Sequence, residues 1–211
     1  MADIKLSREE ELVAFFVNRC GRDGNLGRTR LMKLLYLADY EARRFLGRPI
    51  SGIKYIWHFY GPYEKKLTTW ITRLRDGGVV VEEAVVYPSG KEGFLYTAGA
   101  KEAPPSFSPA EVEILSYVCR EYSRVDLREL LDDIVYQTEP MVRAQKKGAK
   151  EKPLEMDIVN NAKANELTIS LEELVERRRQ LRAGQCLSHA EAMSALEQIL
   201  EPAPQPAHAA A

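Results

Sequence analysis

The side chains able to do covalent or metal chemistry are few in this 211-residue chain and stand far apart. Nucleophilic catalysis asks for a Cys or Ser beside a His that a carboxylate orients. The histidines are His58, His189 and His208, and the cysteines are Cys20, Cys119 and Cys186. His58 alternates with Trp57 and Phe59 in a strand-like run, which fits a hydrogen-bonded or surface histidine, and His208 lies in a Pro/Ala-rich tail. No two of His58, His189, Cys20, Cys119 and Cys186 share ligand spacing, and no CxxC pair suggests zinc or redox chemistry. The cysteines read as reduced, mostly buried thiols of a cytoplasmic protein. Asp132-Asp133 and Glu172-Glu173 sit on helical stretches with nothing to raise a pKa, and read as solvated faces. Gly21, Gly24 and Gly27 recur at intervals of three, but they follow a helix and match neither GxGxxG nor the Walker pattern, so they make a turn. The expectation is a protein with no catalytic residues, no metal and no cofactor.

Residue types that hold a partner are concentrated between Arg28 and Tyr63. With Leu31 as origin, Leu34, Leu35, Ala38, Ala42, Phe45 and Leu46 fall within about 60° of one direction of a helix, a core face. The opposite side carries Lys33, Tyr36, Leu37, Tyr40 and Arg44, too aromatic for a solvated face and too charged for a second core face. Together with Trp57, Tyr60 and Tyr63 from the aromatic run that follows, Lys33, Tyr36, Tyr40 and Arg44 form the expected partner-binding set, because Trp, Tyr and Arg dominate binding hot spots. A competing reading, that half of these aromatics fill the core between helix and strand, stays open at this point. Lys33, Tyr40 and Arg44 are expected to be the most exposed.

The elements that must position this set follow from local signals. Ser7 with Glu10 forms a capping box, and Leu12, Phe15, Phe16 and Cys20 give the first helix, about Ser7 to Arg19, an apolar stripe. The central helix stops at Gly47, with Pro49 preventing its resumption. Ile53 to Tyr60 reads as one strand, and Pro62 as the first position of a helix whose inner face is Leu67, Trp70, Ile71 and Leu74. Val79 to Tyr87 and Phe94 to Thr97 read as a hairpin, completing a winged-helix-like order. After the hinge Ala103-Pro104-Pro105-Ser106, Ser108, Pro109 and Glu111 open a helix that Phe107 and Val112 staple. Asp126 with Glu129 opens another, running to the region before Pro140, and Ala144 to Pro153 reads as a Lys-rich solvated loop. Capping signals at Ser170 and Ser188 predict a helical hairpin over Leu167 to Leu200. The expected fold class is α+β, mainly helical: a winged-helix-like core with a small β-sheet or hairpin in a domain over residues 4–165, a C-terminal helical hairpin over 166–201, and a disordered tail over 202–211.

Charge narrows the partners. The net charge of −1 argues against a general nucleic-acid or membrane-surface binder. Residues 1–75 nevertheless hold 15 Lys/Arg against 8 Asp/Glu, leaving the remainder acidic. That basic front half, in a winged-helix-like arrangement, makes operator DNA a second candidate partner, although the helix after Pro62 offers no obvious base-reading set. No apolar run approaches the roughly 18 residues of a membrane span, so no membrane contact is expected.

The helix Leu31, Lys33, Leu34, Leu35, Tyr36, followed by Gly47-Arg48-Pro49, Trp57 and Gly61-Pro62, resembles the Panacea domain of SocA-like antitoxins. The resemblance runs from about Leu12 to Thr97 and, more weakly, from Phe107 to Asn165, where Tyr122 to Leu130 and Glu139-Pro140 are similar to the family's later helices. The chain has Pro140-Met141 where the family often has Pro-Trp. The cadence Leu187-Ser188-His189-Ala190-Glu191-Ala192 resembles the C-terminal segments of small addiction-module antitoxins. These resemblances imply a prokaryotic toxin-antitoxin system in which this chain neutralises a cognate toxin by direct binding. They leave occlusion, delivery to a protease and autoregulation on operator DNA open.

Overall fold

Two capping boxes fix the starts of the two helices that clasp the centre of the fold. Ser7 accepts from the Glu10 N–H while the Glu10 carboxylate accepts from the Ser7 N–H at 2.9 Å, opening α1 (Arg8–Cys20). Ser108 and Glu111 repeat the arrangement at the start of α4 (Pro109–Tyr122). This computed structural model describes residues 5–87, 90–101 and 106–157, all within the unit Met1–Asn161. The expected helical hairpin and tail, 166–201 and 202–211, lie outside the described residues.

Between α1 and α4 runs α2 (Arg28–Leu46), which ends at Gly47 in the left-handed conformation (φ 69°), its N–H bonded to the Arg43 carbonyl. A strand β1 (Ile56–His58) pairs antiparallel with β2 (Gly61–Tyr63); α3 (Leu67–Asp76) follows, then the hairpin of β3 (Val80–Val86) and β4 (Glu92–Ala98). The described part of the chain is mainly helical α+β, as expected. Its element order is winged-helix-like, but β1 pairs with β2 and not with the β3–β4 hairpin, so two separate two-stranded sheets stand among the described residues. Leu12, Phe16, Leu31, Leu34, Leu35, Leu74, Tyr96, Leu115 and Val118, all nearly or fully buried, make the core between α1, α2, α3, α4 and β4.

Three local expectations change. The strand is shorter than Ile53 to Tyr60, and Pro62 starts no helix: it sits in β2 opposite Trp57, leaving Phe59 and Tyr60 as a two-residue loop. Gly61 makes this reversal at φ 82°, a conformation that an L side chain resists, and Pro62 needs no ladder donor in so short a strand. The helix begins only at Leu67. Next, the segment after Asp126 is not one regular helix. A single turn α5 (Leu127–Glu129), capped by Asp126, passes into a π-turn (Leu130–Ile134) and a 3-10 turn (Val135–Gln137). Pro140 ends nothing; it stands in the first turn of α6 (Glu139–Lys146), where a missing N–H costs no hydrogen bond. Finally, the expected solvated loop is α6 up to Lys146, and its end flanks β1: Glu151 N–H donates to Trp57 O (2.6 Å), Trp57 N–H to Lys152 O (3.2 Å) and Leu154 N–H to Tyr55 O (2.8 Å).

Ion pairs brace the helix starts. Glu111 takes Arg8 at 2.7 Å and Arg48 at 3.1 Å. Desolvation opposes its ionisation, but the Ser108 N–H, Arg8, the Ser108 hydroxyl and Arg48 together outweigh it and hold the carboxyl at about 2. Buried Glu10 pairs with Arg73 of α3 at 2.8 Å. Buried Arg30 of α2 closes the end of α4 by donating to Ser123 O (3.1 Å) and Val125 O (2.6 Å).

Candidate partner-binding surface

From Arg30 to Asp39 α2 has no solvated side: every residue of that stretch is buried. The expected contact face is therefore, in large part, interior. Lys33 is 2% exposed and Tyr36 fully buried, against the expectation of exposure for the first and of a contact surface for both. The reason is that the β1–β2 hairpin and the turn around Val135 cover the side of α2 that the helical wheel leaves open. Lys33 Nζ donates to Pro62 O at 2.6 Å, and burial lowers its ammonium to about 7. The Tyr36 hydroxyl shares a 2.6 Å hydrogen bond with the Thr138 hydroxyl, which itself donates to Val135 O. Burial raises the Tyr36 phenol.

Asp39, which sequence reasoning passes over, is the most heavily bonded side chain of the helix. Its buried carboxylate accepts from Ile50 N–H (2.9 Å), Ser51 N–H (2.8 Å), the Ser51 hydroxyl and the Tyr55 hydroxyl (2.9 Å). Burial raises its pKa; those donors pull the other way. The available signal was an acidic residue flanked by Ala38, Tyr40 and Ala42 near the core face, ahead of a Gly-Arg-Pro turn that had to be tied down.

Tyr60, Tyr63 and Lys33 do come together. With Arg28, His58 and Leu67 they line one cleft between the start of α2, the β1–β2 hairpin and α3. At its lip the loop residues Phe59 and Tyr60 project, 65% and 61% exposed, the two most exposed aromatic side chains among the described residues. Phe59 is edge-on to His58 (4.7 Å), which in turn lies against Tyr63 (5.0 Å), and the Lys150 ammonium stands 4.5 Å over the Phe59 ring. Trp57 is half-buried against the core and braces the hairpin instead of presenting a face. Tyr40 and Arg44 lie elsewhere. Tyr40 is half-buried and stacked on Tyr36, and exposed Arg44 reaches over Tyr40 and Phe45 while paired with Glu41 at 2.9 Å. Eleven residues of helix, about 16 Å, separate Lys33 from Arg44, so the predicted set divides into a hairpin patch and a patch at the C-terminal end of α2.

Several arginines of the basic front half are committed to carboxylates. Arg73 faces Glu10, Arg75 faces Asp76 and Glu82, and Arg8 and Arg48 share Glu111. In the place of a recognition helix, α3 therefore presents arginines that already have acidic partners, which works against phosphate contacts. Among the described residues no three His, Cys, Asp or Glu side chains converge as a metal site. Among them, too, no helix is long and apolar enough to cross a membrane.

The antitoxin SocA-like family, Panacea domain, matches residues 31–140, just over half the chain, a span that holds Lys33, Tyr36, Tyr40, Arg44, Trp57, Tyr60 and Tyr63. No curated protein and no solved structure matches.

Proposed function

This chain belongs to the SocA-like antitoxin family, Panacea domain, and from that membership we propose that it neutralises a cognate toxin protein by direct binding, without chemistry of its own, through the β1–β2 hairpin patch. The observation that supports the site is the exposure of Phe59 and Tyr60 at the lip of a cleft whose floor holds Lys33. Exposed aromatics on a tight hairpin lose little conformational freedom on binding and bury a large area, as hot spots do. Exposed Arg28 at the cleft favours an acidic or carbonyl group of the partner. Tyr63 lines that cleft, Trp57 packs the hairpin against the core, Tyr36 is interior, and Tyr40 with Arg44 offers a second, smaller contact.

The test is co-expression with the product of the neighbouring reading frame. Growth arrest by that product, relieved by this chain, is the expected result. If no neighbouring product is toxic, the reading fails. Toxin abundance during relief then separates two modes: an unchanged level means occlusion, and a falling level means delivery to a protease.

A further inference from the structure

Cys20 closes α1 and Cys119 stands in the last turn of α4, 99 positions apart in sequence, yet their sulfurs lie 3.0 Å from each other as free thiols. A disulfide needs a separation of about 2.05 Å, so closing the bond asks for a shift of only about 1 Å. The two thiols differ in access. Cys20 is 1% exposed, whereas Cys119 is half-buried and lines an open surface cleft with Arg19, Asp23, Ser116, Arg120 and Arg124. A small solute meets the Cys119 sulfur first, with Cys20 directly behind it.

We propose that Cys20 and Cys119 are a peroxide-responsive dithiol whose oxidation staples α1 to α4. The Cys119 thiolate attacks one oxygen of a hydroperoxide; the O–O bond breaks, and the departing alkoxide takes up the thiol proton and leaves as an alcohol. Cys119 is then a sulfenic acid. The Cys20 thiolate attacks the Cys119 sulfur, the S–O bond breaks, and hydroxide leaves with the Cys20 proton as water. Two thiols have lost two electrons, the peroxide has gained two, and one disulfide, one alcohol and one water are formed; with hydrogen peroxide the alcohol is a second water.

The surroundings favour this course over that of two inert core thiols. The hydrogen bond with Cys119 lowers the Cys20 pKa, helped by the Ser123 hydroxyl and Arg19 and opposed by burial and Asp23, while the same bond together with burial pushes the Cys119 thiol up, so the resting negative charge sits on Cys20. The attacking Cys119 thiolate forms in the step itself, when its proton crosses to Cys20 over the 3.0 Å between the sulfurs. Cys20 lies outside the segment that the family match covers, and Cys119 inside it. The pair therefore depends on the α1 of this chain and is not assigned by its family.

The experiment uses the purified full chain carrying Cys186→Ser, so that the third cysteine cannot compete. It is treated with a small excess of hydrogen peroxide, quenched and alkylated. The expected product has lost two hydrogens in mass, and a non-reducing peptide map joins the Cys20 peptide to the Cys119 peptide. Because the link closes a long loop, its melting temperature rises by roughly 5–15 °C and returns to the starting value with dithiothreitol. In a Cys20→Ala variant both the resolving thiol and the acceptor of the Cys119 proton are gone, so Cys119 is oxidised more slowly than in the dithiol chain and its product is sulfenic or sulfinic acid, never a disulfide. Full alkylation of both cysteines after peroxide, or Cys119 sulfinic acid beside a free Cys20 in the Cys186→Ser chain, overturns the proposal.

Discussion

The central helix and the β1–β2 hairpin carry similar residue types to opposite ends. In α2, Lys33, Tyr36 and Asp39 are interior, each held by hydrogen bonds to a segment that packs over the helix: Pro62, Thr138, and the Ile50–Tyr55 turn with its Ser51. In the hairpin, Phe59 and Tyr60 stand in solvent with their backbone ordered by Gly61 and by the Glu151–Leu154 segment. The contrast shows what a polar or aromatic residue is for by asking whether its polar atoms are already taken. A buried lysine with a backbone acceptor fastens the hairpin to the helix. An exposed aromatic pair on that fastened hairpin is free to meet another protein.

The comparison breaks first at Asp39. Asp39→Ala leaves two backbone N–H groups and two hydroxyls without their acceptor inside the fold. The loss should be on the order of 3–5 kcal/mol, read as a fall in the urea midpoint. If Asp39→Ala melts like the parent, the turn after α2 is held by packing and the polar clasp is incidental.

Lys33 sharpens the contrast through pH. Its folded-state value of about 7 lies below the ordinary lysine value near 10.4. Between those values the unfolded chain binds more protons than the folded one, so this group makes stability rise with pH, by at most about 1.4 kcal/mol per pH unit. Below pH 7 the cost of keeping an ammonium interior is present in full. Lys33→Met removes this slope, so the parent should gain on the variant steadily from pH 7 to 9.5 in urea titrations. Parallel profiles would mean that the amine is hydrated in solution and the cleft more open than its geometry here.

Most of the helical framework was legible because its signals are local. Ser7/Glu10 and Ser108/Glu111 place two helix starts correctly, and Gly47 places an end. The winged-helix-like order was legible as order, but strand pairing is a long-range choice, and the pairing of β1 with β2 turned on the positive φ of Gly61. Exposure along α2 was the least legible. A helical wheel records which residues share a face and not what covers it, and the covers here come from Pro62 and Thr138, 29 and 102 positions from their partners. Of the predicted contact residues, Arg44 and Tyr60 are exposed, Tyr40, Trp57 and Tyr63 half-buried, and Lys33 and Tyr36 interior. The proximity of Cys20 and Cys119 had no sequence signal at all, since nothing in their spacing announces the meeting of two helix ends.

The smallest expected effect on stability belongs to the hairpin tip, and it is the most informative about function. Phe59→Ala with Tyr60→Ala removes two side chains that bury little of themselves, one of which contacts the Lys150 ammonium. The backbone bonds that set the loop, Tyr136 hydroxyl to Phe59 O and the pairing of His58 with Gly61, remain available. The melting temperature should therefore change by no more than about 0.5 kcal/mol would produce. If these rings anchor the toxin, binding weakens by about 2 kcal/mol or more for each, as a central hot spot does, and relief of growth arrest is lost by a folded protein. The same pair of measurements on Tyr40→Ala with Arg44→Glu gives the control, because that patch lies about three helical turns from Lys33. Relief that survives the hairpin variant but fails with the Tyr40/Arg44 variant moves the binding site to the far end of α2. Relief that survives both removes the described aromatic surface from consideration.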